Sequence, residues 1–393
     1  MDTHKPYLII PKLIEQPTWG GYYIAKTKGW DHHIELENKK IGQAYELYQD
    51  SNLSLFTSSS AAQFHGELTN SKDVEKRTSI PNSITMSDLI QSAPLEVLGK
   101  AIVNKYGPKM HLLIKFTQAQ GNSFQLHVKE DTPNTVWLAK PESWYYFEPG
   151  FITLGVKNTT DWNEYQSSAN DLQNELLSIS IKVKDGKLTL KDAQLKINEC
   201  LQKYNLWQYV NFVYPEKDSL IDLSAGAIHH SWEEDASKCP LGNVVYELQL
   251  NVMDGISTIR SFDKGKMTAD GSIRPLHIDD YFNFIDRSGA ANDPQNHTVI
   301  PQKISNSNSI EVLRLLQTKH YTLEKVTLLR KGSKYTHVPT HFRHVFVKSG
   351  DISLKTSKTT LEITRGHSAF IPYAVGQFEL EAKNDHTEVL ISY

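Results

Sequence analysis

The chain is 393 residues long, sets 42 Lys plus Arg against 45 Asp plus Glu, and is 39% hydrophobic. That is enough apolar material for a real core and, at roughly 150 residues per domain, for two or three units. The formal charge of -3 excludes the broad electropositive field that general nucleic-acid binding or a polybasic membrane module would use, and two cysteines, Cys200 and Cys239, exclude a disulfide framework or a cysteine metal knuckle and fit a reducing compartment.

In chain order, the apolar stretch Tyr7-Leu8-Ile9-Ile10 stops at Pro11, too short for a signal-peptide core. No later run approaches the ~18 apolar residues of a spanning helix. The sequence therefore reads as that of a soluble, cytoplasmic protein. Over residues 87–106, Leu89, Ile90, Val97, Leu98, Ile102 and Val103 recur at helical spacing, with Pro94 opening a second piece. Short alternating runs follow at 112–116, 123–129, 151–156, 243–252, 325–329, 344–347 and 388–392, several divided by turn residues such as Gly121-Asn122 and Ser349-Gly350-Asp351. They predict a mainly β protein built as a sandwich or barrel. Residues 160–214 break this rhythm. There Leu172, Leu176, Ile179 and Val183, then Leu190, Ala193, Ile197, Leu201 and Tyr204 after a Lys184-Asp185-Gly186-Lys187 turn, predict an inserted helical hairpin. Its place between segments that carry candidate site residues suggests a lid over a pocket. A polar stretch at 288–309, with Gly289, Pro294 and Pro301, reads as a linker. The expected organisation is a β domain from 1–159 and 215–300, the hairpin at 160–214, and a C-terminal β domain at 301–393.

Alternation along residues 123–129 puts Ser123, Gln125, His127 and Lys129 on one strand face and Phe124, Leu126 and Val128 on the other. Alone, such a strand is most simply half solvated. Three other segments repeat the theme. Glu142 opens an aromatic strand, Trp144-Tyr145-Tyr146, where an acid has no packing reason to be; a small-residue turn delivers His229 behind Ala227-Ile228; and Glu247 and Gln249 lie opposite Tyr246, Leu248 and Leu250. A sandwich whose inner face collects Gln, His, Glu and His offers a metal of hard to borderline character its preferred donors.

These residues resemble the type I mannose-6-phosphate isomerases, a family of cupin-fold zinc enzymes. Gln125-Leu126-His127 resembles the family's Gln-x-His pair, Lys140-Pro141-Glu142 its Lys-Pro-Glu element, and Ser224-Ala225-Gly226-Ala227-Ile228-His229 its Pro-Ala-Gly-Thr-Ile-His turn. Pro17-Thr18-Trp19-Gly20-Gly21, Leu113-Ile114-Lys115-Phe116, Tyr246-Glu247-Leu248-Gln249, Thr258-Ile259-Arg260 and Arg274-Pro275-Leu276-His277-Ile278-Asp279 resemble further family segments in the same order. The likeness spans 8–156 and 220–393. Val128, Ser224, Ala227 and Gly42-Gln43 depart from the pattern without removing a ligand.

The resemblance implies a cupin-type jelly-roll metal domain with an inserted helical segment and a second, metal-free cupin-like domain. It implies one Zn2+ per chain on Gln125, His127, Glu142 and His229, catalysis by Lys140, Glu247 and Arg260, and substrate contacts from Ser123, Lys140 and Arg260. The implied activity is interconversion of mannose 6-phosphate and fructose 6-phosphate by enediol proton transfer. The expected partner is a small-molecule sugar phosphate, with neither nucleic acid nor membrane, and the expected state is a monomer or weak homodimer. Glu247 and Arg260 have a structural alternative, a buried pair, and His230 reads as a neighbour of His229 at the pocket rim. The competing functions are a sugar-binding cupin without turnover and another metal-dependent cupin enzyme. His337, His341 and His344 form a rival cluster, although Gly366 to Tyr373 resembles the second cupin motif without its histidine, Gly376-Gln377 following instead.

Overall fold

A computed structural model describes residues 1–59, 63–71, 73, 74, 76, 78–133, 136–223 and 230–393. Four sheets stack as layers, with the helical hairpin outermost. The hairpin, Trp162–Lys184 and Leu190–Tyr204, begins each helix on a side-chain cap: Asp161 accepts from the Asn163 and Glu164 amides, and Thr189 from that of Asp192. Its apolar stripe, including Tyr165, Leu172, Leu176 and Ile197, packs on Phe124, Leu126, Val128, Ile259 and Phe262. Each such buried side chain contributes about 1.5–3 kcal/mol. Of the residues it packs on, all but Val128, which follows its strand, belong to a five-stranded sheet in the order Val210–Val213, Ile152–Val156, His230–Trp232, Phe124–Leu126, Ile259–Phe262. The hairpin thus backs the face of the strand that points away from Gln125 and His127. It supports the site strand from behind and does not cover a pocket, which corrects the lid expectation.

The next layer is a seven-stranded sheet, in the order Leu220–Asp222, Glu142–Tyr146, Asn243–Leu250, Leu112–Ala119, Ile41–Leu47, Lys12–Glu15, Glu67–Asn70. Between it and the five-stranded sheet, Trp144, Tyr146, Ile152, Leu154, Trp232 and Val245 fill one end of the gap. Its other face packs Ile114, Phe116, Tyr145, Tyr246 and Leu248 against Leu323, Phe346, Phe370 and Leu390 of a nine-stranded sheet. That sheet and a four-stranded one then enclose the C-terminal core of Val326, Val345, Leu354 and Leu380. The whole is mainly β, as the alternating runs require.

Several expectations change in detail. Strand 123–129 shortens to Phe124–Leu126, because its partner strand starts at Ile259 after a helical turn at Asp254–Ile256 and offers His127 no ladder. The helical region at 87–106 is three short helices, Met86–Ser92, Pro94–Leu98 and Lys100–Tyr106. The second break is Gly99, whose φ of 89° suits glycine and whose missing Cβ leaves room for His341. The polar stretch at 288–309 is no loose linker: Gly289–Asn292 and Pro294–His297 are helical turns, and Gln302–Asn306 pairs with Ile310–Gln317 at the sheet edge. The sheets also ignore a division at residue 300. Tyr7–Ile10 pairs with Ser368–Ile371 on one side and Asn52–Ser54 on the other, so N-terminal strands complete the C-terminal sheet. Among the described residues, no helix is long and apolar enough to cross a membrane.

Candidate metal centre

The gap between the five- and seven-stranded sheets is aromatic at one end and polar at the other. On the five-stranded side, Gln125 stands directly across from His230 on one neighbouring strand and Arg260 on the other, so the three share a face. His127 follows on that face, its ring centroid 5.3 Å from that of His230. On the seven-stranded side, register pairs Glu142 with Gln249, Trp144 with Glu247, and Glu247 with Lys115, which puts all five on the face that meets the histidines.

His127, Glu142 and His230 converge. Each is buried, and one ligand atom from each lies within 4.8 Å of the others. His127 Nε2 is 3.4 Å from Glu142 Oε2. Neighbouring donors around a tetrahedral zinc, with bonds of about 2.1 Å, stand about 3.4 Å apart. Among the described residues, neither His127 Nε2 nor either ring nitrogen of His230 has a hydrogen-bond partner, although all are buried, and Glu142 Oε2 meets only the Lys140 ammonium besides His127. Buried donors and acceptors are normally paired, so three orphaned imidazole nitrogens beside a carboxylate fit a group that takes a cation. The His127 ring is oriented from behind: its Nδ1 bonds the Ser257 carbonyl at 2.7 Å, leaving Nε2 to face Glu142. Metal-binding histidines are commonly held this way.

The surrounding charges set the protonation states. Burial pushes the Glu142 carboxyl up, but the Lys140 ammonium 3.0 Å away, with His127 and His230, more than offsets it and holds the group well below the usual carboxylate range. Burial, then the neighbouring His127, lowers His230 to about 3, so its imidazole is neutral and able to ligate at neutral pH. Lys140 also meets Asp254 Oδ1 at 3.0 Å; burial lowers its pKa, yet Asp254 and Glu142 outweigh that and keep it cationic. Glu247 is pushed up by burial, against the pull of Lys115 at 3.1 Å. Its buried partner is therefore Lys115, which also donates to Gln249 at 3.2 Å, and not Arg260. Arg260 is half buried and, among the described residues, its side chain bonds only the Thr258 carbonyl, at 3.4 Å, and its Nε has no partner; burial, then Arg274, lowers its pKa. Ser123 lies beside the group and accepts from the Gln125 amide at 3.2 Å.

Among the residues singled out from sequence, Gln125, His127, Glu142, Lys140, Glu247, Arg260 and Ser123 thus gather about one gap. His229 lies outside the described residues. His230, read from sequence as a rim residue, is buried inside the group, because its register with Gln125 turns it inward. Lys115 and Asp254 escaped notice as site residues. A lysine inside the buried strand Leu112–Ala119 was the available signal for the first; nothing local marks the second. The rival histidines are not gathered. His344 faces the seven-stranded sheet and bonds Tyr246 at 3.0 Å, while His337 and His341 lie toward the open end of the C-terminal sandwich.

No family model matches the chain, and no curated relative does. Solved structures do. The mannose 6-phosphate isomerase from Bacillus subtilis aligns at a TM-score of 0.64 and 15% identity, with 99% of each chain covered. The apo form of the Salmonella typhimurium enzyme aligns at 0.64 and 12%, covering 100% of this chain and 99% of the other. The chain has the fold of the mannose 6-phosphate isomerases. A third mannose 6-phosphate isomerase structure, the Salmonella enzyme bound to substrate (f6p) and zinc, aligns at 0.63 and 12%, with 99% of each chain covered. The cupin-type architecture expected from sequence is therefore present end to end, including the sandwich that holds His127, Glu142 and His230.

Proposed function

We propose that the chain is a zinc-dependent aldose-ketose isomerase that interconverts mannose 6-phosphate and fructose 6-phosphate. The observation that carries this reading is the buried His127, Glu142 and His230 group with its orphaned imidazole nitrogens, flanked by an acid whose pKa is raised and a lysine held cationic. Gln125, on the same face, completes the ligand set with a neutral oxygen. Zinc, when bound, polarises the substrate oxygens and stabilises negative charge that develops on them.

The chain's own residues supply the proton chemistry. Glu247, pushed up by burial, is suited to take the proton from C2 of the open-chain aldose and return it at C1, since a general base works best with a pKa near the working pH. Lys140 offers ammonium donors to the enediolate oxygens as their charge grows. Lys115 holds Glu247 in place through its 3.1 Å contact. Arg260, with an unpartnered Nε, binds negative charge on the intermediate or the phosphate, and Ser123 assists in holding the sugar. The aromatic end of the gap, closed by Trp144 and Trp232 at 4.9 Å between centroids, keeps water from the site on that side. Likeness in fold to zinc-bound and f6p-bound isomerases supports the substrate class.

The test is a turnover assay on zinc-loaded protein in deuterated water, with mannose 6-phosphate, fructose 6-phosphate and their unphosphorylated sugars. Interconversion of the phosphorylated pair with label at C1 or C2 is the expected result. Binding without label would make the protein a sugar-binding cupin, and turnover of another sugar alone would reassign its substrate.

A further inference from the structure

The C-terminal sandwich is apolar along most of its interior, where Val312, Val326, Val345, Val389 and Ile391 meet Leu354, Phe378 and Leu380. The same two-residue alternation turns polar at one end. Arg314 follows Val312, Glu324 precedes Val326, Arg343 precedes Val345 and Tyr393 follows Ile391, while Tyr335 and His337 approach from the facing sheet.

Arg343 is the singular member of this set. It is 3% exposed and makes no ion pair among the described residues, and its Nε is buried without a partner. Its Nη1 donates to the carbonyls of His341 and Phe342 at 3.0 and 2.9 Å, and its guanidinium carbon lies 3.7 Å from the Tyr393 ring centroid. The nearby carboxylate is committed elsewhere: Glu324 Oε1 accepts from Arg314 at 3.2 Å and from Tyr393 at 3.2 Å. Among the described residues, Nη2 finds only the His337 ring nitrogen, at 3.2 Å. Burial, then the Arg343 charge, lowers His341 to about 4, so that ring is neutral at neutral pH. A guanidinium taken out of water normally pairs with a carboxylate or phosphate. Here a neutral imidazole stands where an anion's oxygen would accept. His337 and His341 are half exposed, so the position opens to solvent past their rings. The ends of β-barrels are favoured ligand sites.

We propose that this end of the C-terminal sandwich is a second binding site, independent of the metal centre, for a small oxyanion bearing a phosphate or carboxylate group. Arg343 supplies the charge and two N–H groups, Nε and Nη2. His337 is the internal acceptor that the anion displaces, and Tyr335 and His341 line the rim.

Calorimetric titration of the metal-free full-length protein with inorganic phosphate, and separately with acetate, tests this. The expected result is saturable binding with a Kd of about 1 mM or tighter for at least one anion, which persists in Arg260→Ala and is weakened at least tenfold in Arg343→Gln. Phosphate alone or acetate alone would name the group preferred. Because Arg343→Gln removes a buried residue, hydrogen exchange on the unaltered protein gives a second readout: the anion should slow exchange across residues 335–343 and not across 123–127. His337→Ala, which removes the competing acceptor, should bind at least as tightly as the parent. No saturable binding, or binding lost in Arg260→Ala and kept in Arg343→Gln, would overturn the proposal.

Discussion

The sandwich between the five- and seven-stranded sheets buries His127, Glu142, His230, Lys140, Lys115 and Glu247. The sandwich between the nine- and four-stranded sheets fills its interior with Val326, Val345, Leu354 and Leu380. Both are built from strands of the same two-residue period, so the backbone does not decide the difference. Burying six titratable groups costs free energy that apolar residues of the same volume would not, and perturbed groups of this kind cluster at functional sites. The C-terminal sandwich carries the opposite load: it supplies apolar area and, through Leu323, Phe346, Phe370 and Leu390, a rigid bed under the seven-stranded sheet.

The largest contrast should appear when a ligand group is removed. Glu142→Ala should drop zinc from one per chain to nearly none by elemental analysis and lower isomerase turnover by about a thousandfold, or about 4 kcal/mol. If turnover survives loss of the metal, the first sandwich has been misread. Lys115→Met should cost about 3–5 kcal/mol by denaturant unfolding, because it strands Glu247 as a buried charge. The penalty should shrink as pH falls from 8 to 5, since Glu247 then takes a proton. A pH-independent penalty would point to packing alone. In the other sandwich, Leu354→Ala should cost about 2–5 kcal/mol through the cavity it leaves, while zinc content per folded chain stays at one.

A smaller effect sharpens the comparison further. His344 and His367 sit in the C-terminal half, and burial, then Lys28, lowers each to about 3 from an ordinary 6.5. Both are neutral in the folded protein and take up protons on unfolding. Their stabilisation is complete above about pH 6.5 and declines as pH falls toward 3, by up to about 1.4 kcal/mol per pH unit for each ring. His344→Gln should flatten the stability profile between pH 6 and 4; a profile as steep as the parent's would place the acid sensitivity elsewhere.

Much of this contrast was legible in the sequence. Alternation at Ser123 to Lys129 set Gln125 and His127 apart from Phe124 and Leu126, and Glu142 was conspicuous at the head of an aromatic strand. The hairpin was readable from its helical spacing and its Thr189 start. What the sequence hid is set by register and packing. Nothing local says that His230 lies opposite Gln125, which turns it inward. The pairing of Lys115 with Glu247 joins residues 132 positions apart. The hairpin's docking on the outer face of the site strand depends on Phe124 and Leu126 finding Leu172 and Ile197 across the insertion, and the entry of Tyr7–Ile10 into the C-terminal sheet joins the two ends of the chain.

The most direct test of the central claim is anomalous diffraction at the zinc edge from crystals of the zinc-loaded protein. One strong peak is expected within bonding distance of His127 Nε2, the Glu142 carboxylate and the His230 ring, and none inside the C-terminal sandwich. A peak among His337, His341 and Arg343, or no peak at the first group, would contradict it.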